Sequence, residues 1–180
     1  MRKYYSLLFA LLAVMAMALV FVSCEKEIDY EDPKPESKNQ MTFTTEHPVG
    51  STMWLLLKED ERPTEVIGAK EIYGENPFDG GPLAETILGL KLEKQTVTIK
   101  GDIKWIGFYD PKLTALDVSN NPILEYLSLH YNNSHLASLD VSKNTALTTL
   151  ICDGSQLEEL DVSKNTALQV LSCDENNLTS

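Results

Sequence analysis

Basic residues are scarce in this chain: 15 Lys plus Arg stand against 27 Asp plus Glu, a net charge of −12 with the three histidines neutral. Such a field repels phosphate backbones and anionic membrane surfaces, which excludes nucleic-acid binding and attachment through a basic patch. Cysteine is as sparse as histidine, with three residues, and no CxxC pair with convergent histidines occurs, so no metal site is expected. The signatures of hydrolysis, phosphate binding and calcium binding are missing: there is no GxSxG, HExxH, glycine-rich phosphate loop or DxDxDG stretch. His47, His130 and His135 are scattered, and none stands beside a nucleophile in a recognisable arrangement. Neither an enzyme nor a cofactor is expected.

What is there begins with an apolar run. The first 23 residues hold Arg2 and Lys3 and no acid, so the remaining 157 carry 13 basic and 27 acidic groups, a net of −14. Tyr4 to Val22 is long enough for a secretory signal or a membrane-spanning helix, and its end separates the two. It closes with Phe21-Val22-Ser23-Cys24, which resembles the lipobox of bacterial lipoproteins, with Phe21 in place of the usual Leu. The resemblance implies that residues 1–23 are removed and that Cys24 is acylated. Residues 24–40 then read as a disordered acidic tether, because Glu25, Glu27, Asp29, Glu31, Asp32, Pro33 and Pro35 cannot bury enough apolar surface to fold. Acid just after the lipidated cysteine looks like the export signal of some Gram-negative surface lipoproteins, or is a solvated linker. The expected location is the outer membrane of a Gram-negative bacterium, lipid-anchored and surface-exposed.

From residue 103 the sequence repeats. Leu116-Asp117-Val118-Ser119 recurs as Leu139-Asp140-Val141-Ser142 and as Leu160-Asp161-Val162-Ser163, at spacings of 23 and 21. Between the copies lies a related half, Leu147-Thr148-Thr149-Leu150-Ile151-Cys152 and then Leu168-Gln169-Val170-Leu171-Ser172-Cys173. Both halves follow LxxLx(L/V/C)xxN, and Ile103 to Phe108 is a degenerate first copy. This pattern resembles the leucine-rich repeat family, in its short class with 21-residue units built of two halves, as in internalin-like surface proteins. Pro111 and Ser155 stand where that family has Asn, and Tyr131 to His135 contains an insertion. The resemblance implies a mainly β fold: a solenoid of short stacked parallel strands over 103–180. No single turn can bury its own leucines, so several must stack. Asn121, Asn144 and Asn165 end their segments where the chain bends and are expected to be structural. Cys152 and Cys173 lie 21 residues apart at equivalent inward positions, close enough for a disulfide, although two buried thiols fit parallel side chains better.

Residues 41–102 read as a separate small β-rich cap domain, with period-two alternation in 41–45, 88–92 and 95–100 and an apolar run over 51–57. An adhesive role there would draw on Trp54 and Tyr73, both expected in the core. On the repeats, Asp117, Asp140 and Asp161 form an acidic column that is a solubilising face or invites a cation or basic partner. The second halves expose a more varied strip, Trp105, Tyr126, Thr149 and Val170 beside Ile151, with Tyr109, His130 and Asp153 beyond. Exposed aromatics among hydrogen-bonding groups suit a ligand face. The expected function is a non-enzymatic protein- or glycan-binding adhesion module, or alternatively a periplasm-facing accessory envelope lipoprotein. Leu178 opens a further half-repeat with no polar cap after it, so either the array continues beyond this reading frame or its end pairs with another chain as a homo-oligomer.

Overall fold

The computed structural model describes residues 37–58, 60–72, 85–129 and 135–179, and among them the regular structure is all β, with no helix. Cys24, Tyr73 and His130 lie outside the described residues. Eleven strands follow in order: β1 (Gln40–Thr45), β2 (Thr52–Lys58), β3 (Glu65–Ile67), β4 (Ala69–Ile72), β5 (Glu85–Leu92), β6 (Thr96–Lys100), β7 (Trp105–Tyr109), β8 (Leu113–Asp117), β9 (Tyr126–Ser128), β10 (Thr149–Ile151) and β11 (Val170–Ser172). They form a four-stranded sheet, β3-β6-β1-β8, and a seven-stranded sheet, β11-β10-β9-β7-β2-β5-β4.

Alternation decides which side of each strand faces the core. In β1, Met41 and Phe43 are buried; in β2 Met53, Leu55 and Leu57; in β5 Leu88, Leu90 and Leu92; in β6 Val97 and Ile99. Phe43 from one sheet meets Phe108 from the other edge to face, with ring centroids 5.3 Å apart, a favoured aromatic geometry. The seven-stranded sheet is mixed. β4, β5, β2 and β7 pair antiparallel, whereas β7, β9, β10 and β11 pair parallel with Trp105, Tyr126, Thr149 and Val170 in one row. Those four positions are 21, 23 and 21 residues apart, which matches the periodicity of the sequence.

Three expectations are corrected. The cap over 41–102 is not a separate unit, since β1 pairs with β8 and β2 with β7, and one hydrophobic core runs from Met41 to Leu157. β8 covers the open side of β1 and β7 that of β2, so each part completes the other's sheets. The tether ends before residue 37: Ser37 Oγ and Asn39 Nδ2 donate to Asp102 Oδ1 at 2.6 and 2.9 Å, and Gly101 N donates to Asn39 O. The first half-repeats, finally, do not build a second ladder of strands. Only β8 is extended there, held by β1, while the following copies make a single parallel bridge, Ser138 to Glu159. These segments have no antiparallel partner among the described residues, and their chain turns at once. Asp140 Oδ1 accepts from Ser142 N at 2.9 Å and Asp161 Oδ1 from Ser163 N at 2.8 Å, after which Asn144 N and Asn165 N bond back to Val141 O and Val162 O.

The turns are tied to one another by buried asparagines. Asn144 Nδ2 donates to Val118 O and Asn121 O, and Asn165 Nδ2 to Val141 O and Asn144 O, at 2.8 to 2.9 Å. Asn121 Nδ2 begins the series on Ile103 O at 2.7 Å. Each amide thereby satisfies carbonyls that the bend leaves without a strand partner. In the second halves Asn176 Nδ2 takes the same role on Cys152 O and Cys173 O.

Candidate functional site

Because successive residues of a strand point to opposite faces, whatever alternates with the core lines the outside of the sheet. On the four-stranded sheet that outside is polar and self-satisfied: Thr42 Oγ1 bonds Thr98 Oγ1, and Thr44 Oγ1 bonds Thr96 Oγ1. The seven-stranded sheet differs. Trp105, Tyr126, Thr149 and Val170 form one row and Gly107, Ser128, Ile151 and Ser172 the next. The rows continue across β2, β5 and β4, where Leu56 lies opposite Gly107 and Ile87, Trp54 lies between Tyr109 and Gly89, and Ile72 opposite Gly89. Trp54, Leu56, Ile72 and Ile87 are all half-buried on this face.

Two glycines shape this surface. A Cβ at Gly89 would stand 2.7 Å from Cζ3 of Trp54, and one at Gly107 would stand 3.3 Å from Cβ of Leu56. The missing side chains let both residues lie down on the sheet, which gives the face a level, apolar middle. Trp105 and Tyr126 do the opposite. Their rings are nearly parallel, 11° apart, with centroids at 4.1 Å. Rings on adjacent strands about 4.8 Å apart can stack this way only by standing upright, so their edges point outward. The strand that carries Trp105 is pinned at its start, where Glu61 Oε2 accepts from Lys104 N and Trp105 N at 3.0 and 2.9 Å.

Beyond these rows, Tyr109 is 40% exposed. Asp153 is half-buried and already engaged: it takes the Ser172 hydroxyl at 2.7 and 2.9 Å and Asp174 N at 2.8 Å. Val170 and Leu171 on β11 are 49% and 43% exposed. Trp54 was expected in the core. It lies instead on the outer face, because Met53, Leu55 and Leu57 take the inward positions of β2. The same alternation was the available signal for Trp54 and Leu56 as face residues.

Asp117, Asp140 and Asp161 are exposed on the other side of the repeats, flanking two shallow grooves of about 350 and 420 Å³ between successive turns. Their lone pairs go to their own chain. Hydrogen bonds from Ser142 hold the Asp140 carboxyl below the ordinary value of 3.8, and those from Ser163 do the same for Asp161. Repulsion by Asp140 is the weakest contribution at Asp161. Among the described residues no group of three or more His, Cys, Asp or Glu gathers as metal ligands would.

Cys152 and Cys173 carry free thiols. Cys152 is buried, but Cys173, on the last turn, is only half-buried, against the expectation of two buried thiols. Burial first, then Cys173 and Asp153, push the Cys152 thiol up to about 12, so it stays protonated and donates to Ser172 O at 3.5 Å. A thiol held so far from ionisation is a poor nucleophile. The arrangement as a whole offers a broad contact surface with hydrogen-bonding margins. Compared with protein-family models, curated proteins and solved structures, the chain matches none.

Proposed function

We propose that this chain is a lipid-anchored, cell-surface leucine-rich-repeat protein that binds a protein or glycan through the outer face of its seven-stranded sheet, without catalysis. The observation that carries this reading is that face, in which apolar and aromatic residues continue in register from β4 to β11. Rigid rings and aliphatic side chains give contact area at low entropic cost, and the half-buried Thr149 adds a hydrogen-bonding group. The repeat reading draws support from the parallel strands spaced by 21, 23 and 21 residues and from the asparagines that join their turns. In it β7, β9, β10 and β11 line one side of a short solenoid. Anchoring rests on Cys24 and the apolar run before it. Upright rings at Trp105 and Tyr126 favour side-on contact with a protein over flat stacking on a sugar ring.

Adhesion of cells carrying the full chain to immobilised matrix proteins and to glycans tests the proposal. Tyr126→Ala and Thr149→Lys should each weaken retention about tenfold, the equivalent of ~1.4 kcal/mol. Lys164→Ser, which changes an exposed residue of the first-half turns, should leave it unchanged. Equal retention by all three variants and the wild type contradicts binding at this face.

A further inference from the structure

Among the described residues the two sheets have four outer edges, β3, β8, β4 and β11, and these strands differ in charge. β3 carries Glu65, which pairs with Lys100 at 2.7 Å. β4 carries Lys70 and Glu71, with Lys70 paired to Glu93 at 3.1 Å. β8 carries Asp117. Charged residues on an edge discourage another chain from adding to it. β11, Val170-Leu171-Ser172, has none, and the uncharged stretch extends from Asn165 to Cys173. Three of the six large hydrophobics most exposed among the described residues, Val170, Leu171 and Leu178, belong to this end of the chain.

We infer that β11 is the meeting edge of a two-fold dimer of this chain, its two copies pairing antiparallel with Leu171 on the axis. The backbone fixes that register. Val170 N donates to Thr148 O and Ser172 O accepts from Cys152 N, so those two residues spend their main-chain groups on the β10 side. By alternation the N–H and C=O of Leu171 point to the open side, and two antiparallel copies exchange both bonds across the axis. Val170 then faces Ser172 of the other copy, Gln169 faces Cys173, Leu168 faces Asp174 and Ala167 faces Glu175. No carboxylate meets a carboxylate along this line, so self-pairing places no like charges directly opposite each other. The contact closes on itself, unlike a head-to-tail pairing of β11 with the charged β4 edge, which would propagate. It extends the outer face from seven strands to fourteen and covers Leu171. With only three residues per strand the interface falls below about 1,200 Å², which makes it a reversible dimer.

Cysteine cross-linking of the full chain in cells tests this. Directly opposed residues have Cα atoms about 5.5 Å apart, within disulfide range. Under mild oxidation Leu171→Cys should shift on a non-reducing gel to twice the chain's mass, while the wild type and Ser172→Cys, whose opposite residue is Val170, should stay at single mass. Two differently tagged wild-type copies should co-purify, and the Leu171→Lys variant should lose that association; Leu171 is 43% exposed, so the lysine is tolerated by the fold. Single-mass Leu171→Cys, a ladder of higher bands, equal cross-linking by Ser172→Cys, or co-purification that survives Leu171→Lys overturns the proposal.

Discussion

At the scale of single residues, the buried amides are the most exposed to test. Asn144 holds two carbonyls of the preceding turn, yet each of these also accepts a backbone N–H, from Asn121 and Leu124. Asn144→Ala therefore leaves them half-satisfied, and a loss of about 2 kcal/mol in urea unfolding is expected, below the cost of fully stranding two buried groups. Cys152 gives a second outcome. With its thiol protonated up to about pH 12 and its side chain buried, it should resist alkylation in the native protein at pH 8 and react on unfolding, as mass spectrometry would read directly. Glu71 gives a third. It sits half-buried on β4 opposite Leu90, and desolvation, partly offset by Arg62, raises it above its ordinary 4.5. The folded state then binds more protons than the unfolded chain from pH 4.5 upward, so stability falls as pH rises through that window. Glu71→Gln should flatten this limb of the melting-temperature profile. The sequence marked Asn144 as a structural amide at a bend and Cys152 as an inward thiol, but the carbonyls that Asn144 holds in the preceding turn and the half-burial of Glu71 were not legible, since both depend on pairing across the fold.

At the scale of elements, the acidic turns carry a pH signature of the opposite sign. Asp140 and Asp161 are held below 3.8 by Ser142 and Ser163, so their contribution is full above that value and is lost as pH falls through the folded value. The Asp140→Asn, Asp161→Asn double variant should show a flatter acid limb below pH 3.8 than the wild type in circular-dichroism melts. The parallel register of β7, β9, β10 and β11 was legible in the sequence, because a repeat brings like residues to like places. Even the degenerate copy at Ile103 to Phe108 falls in line, with Trp105 beside Tyr126. The pairing of β1 with β8 and of β2 with β7 was not legible, since antiparallel partners some 50 to 75 residues apart leave no periodic mark. β3 and β4 were missed as well: Glu65–Ile67 and Ala69–Ile72 are short, carry charge and lie at sheet edges, where strand composition is weakest.

At the scale of the whole molecule, the same non-local pairing decides where the candidate face ends. Reading the repeats alone stops it at Trp105, whereas the shared sheet extends it through Trp54, Leu56, Ile87 and Ile72. Display of that face is the central proposal, and it requires the repeats to stand outside the cell on a lipid-anchored tether. Protease shaving of intact cells carrying the full chain with a C-terminal tag, beside a lysed control, tests this directly. Loss of the tag from intact cells is the predicted result; a tag protected until lysis would place the face in the periplasm and contradict it.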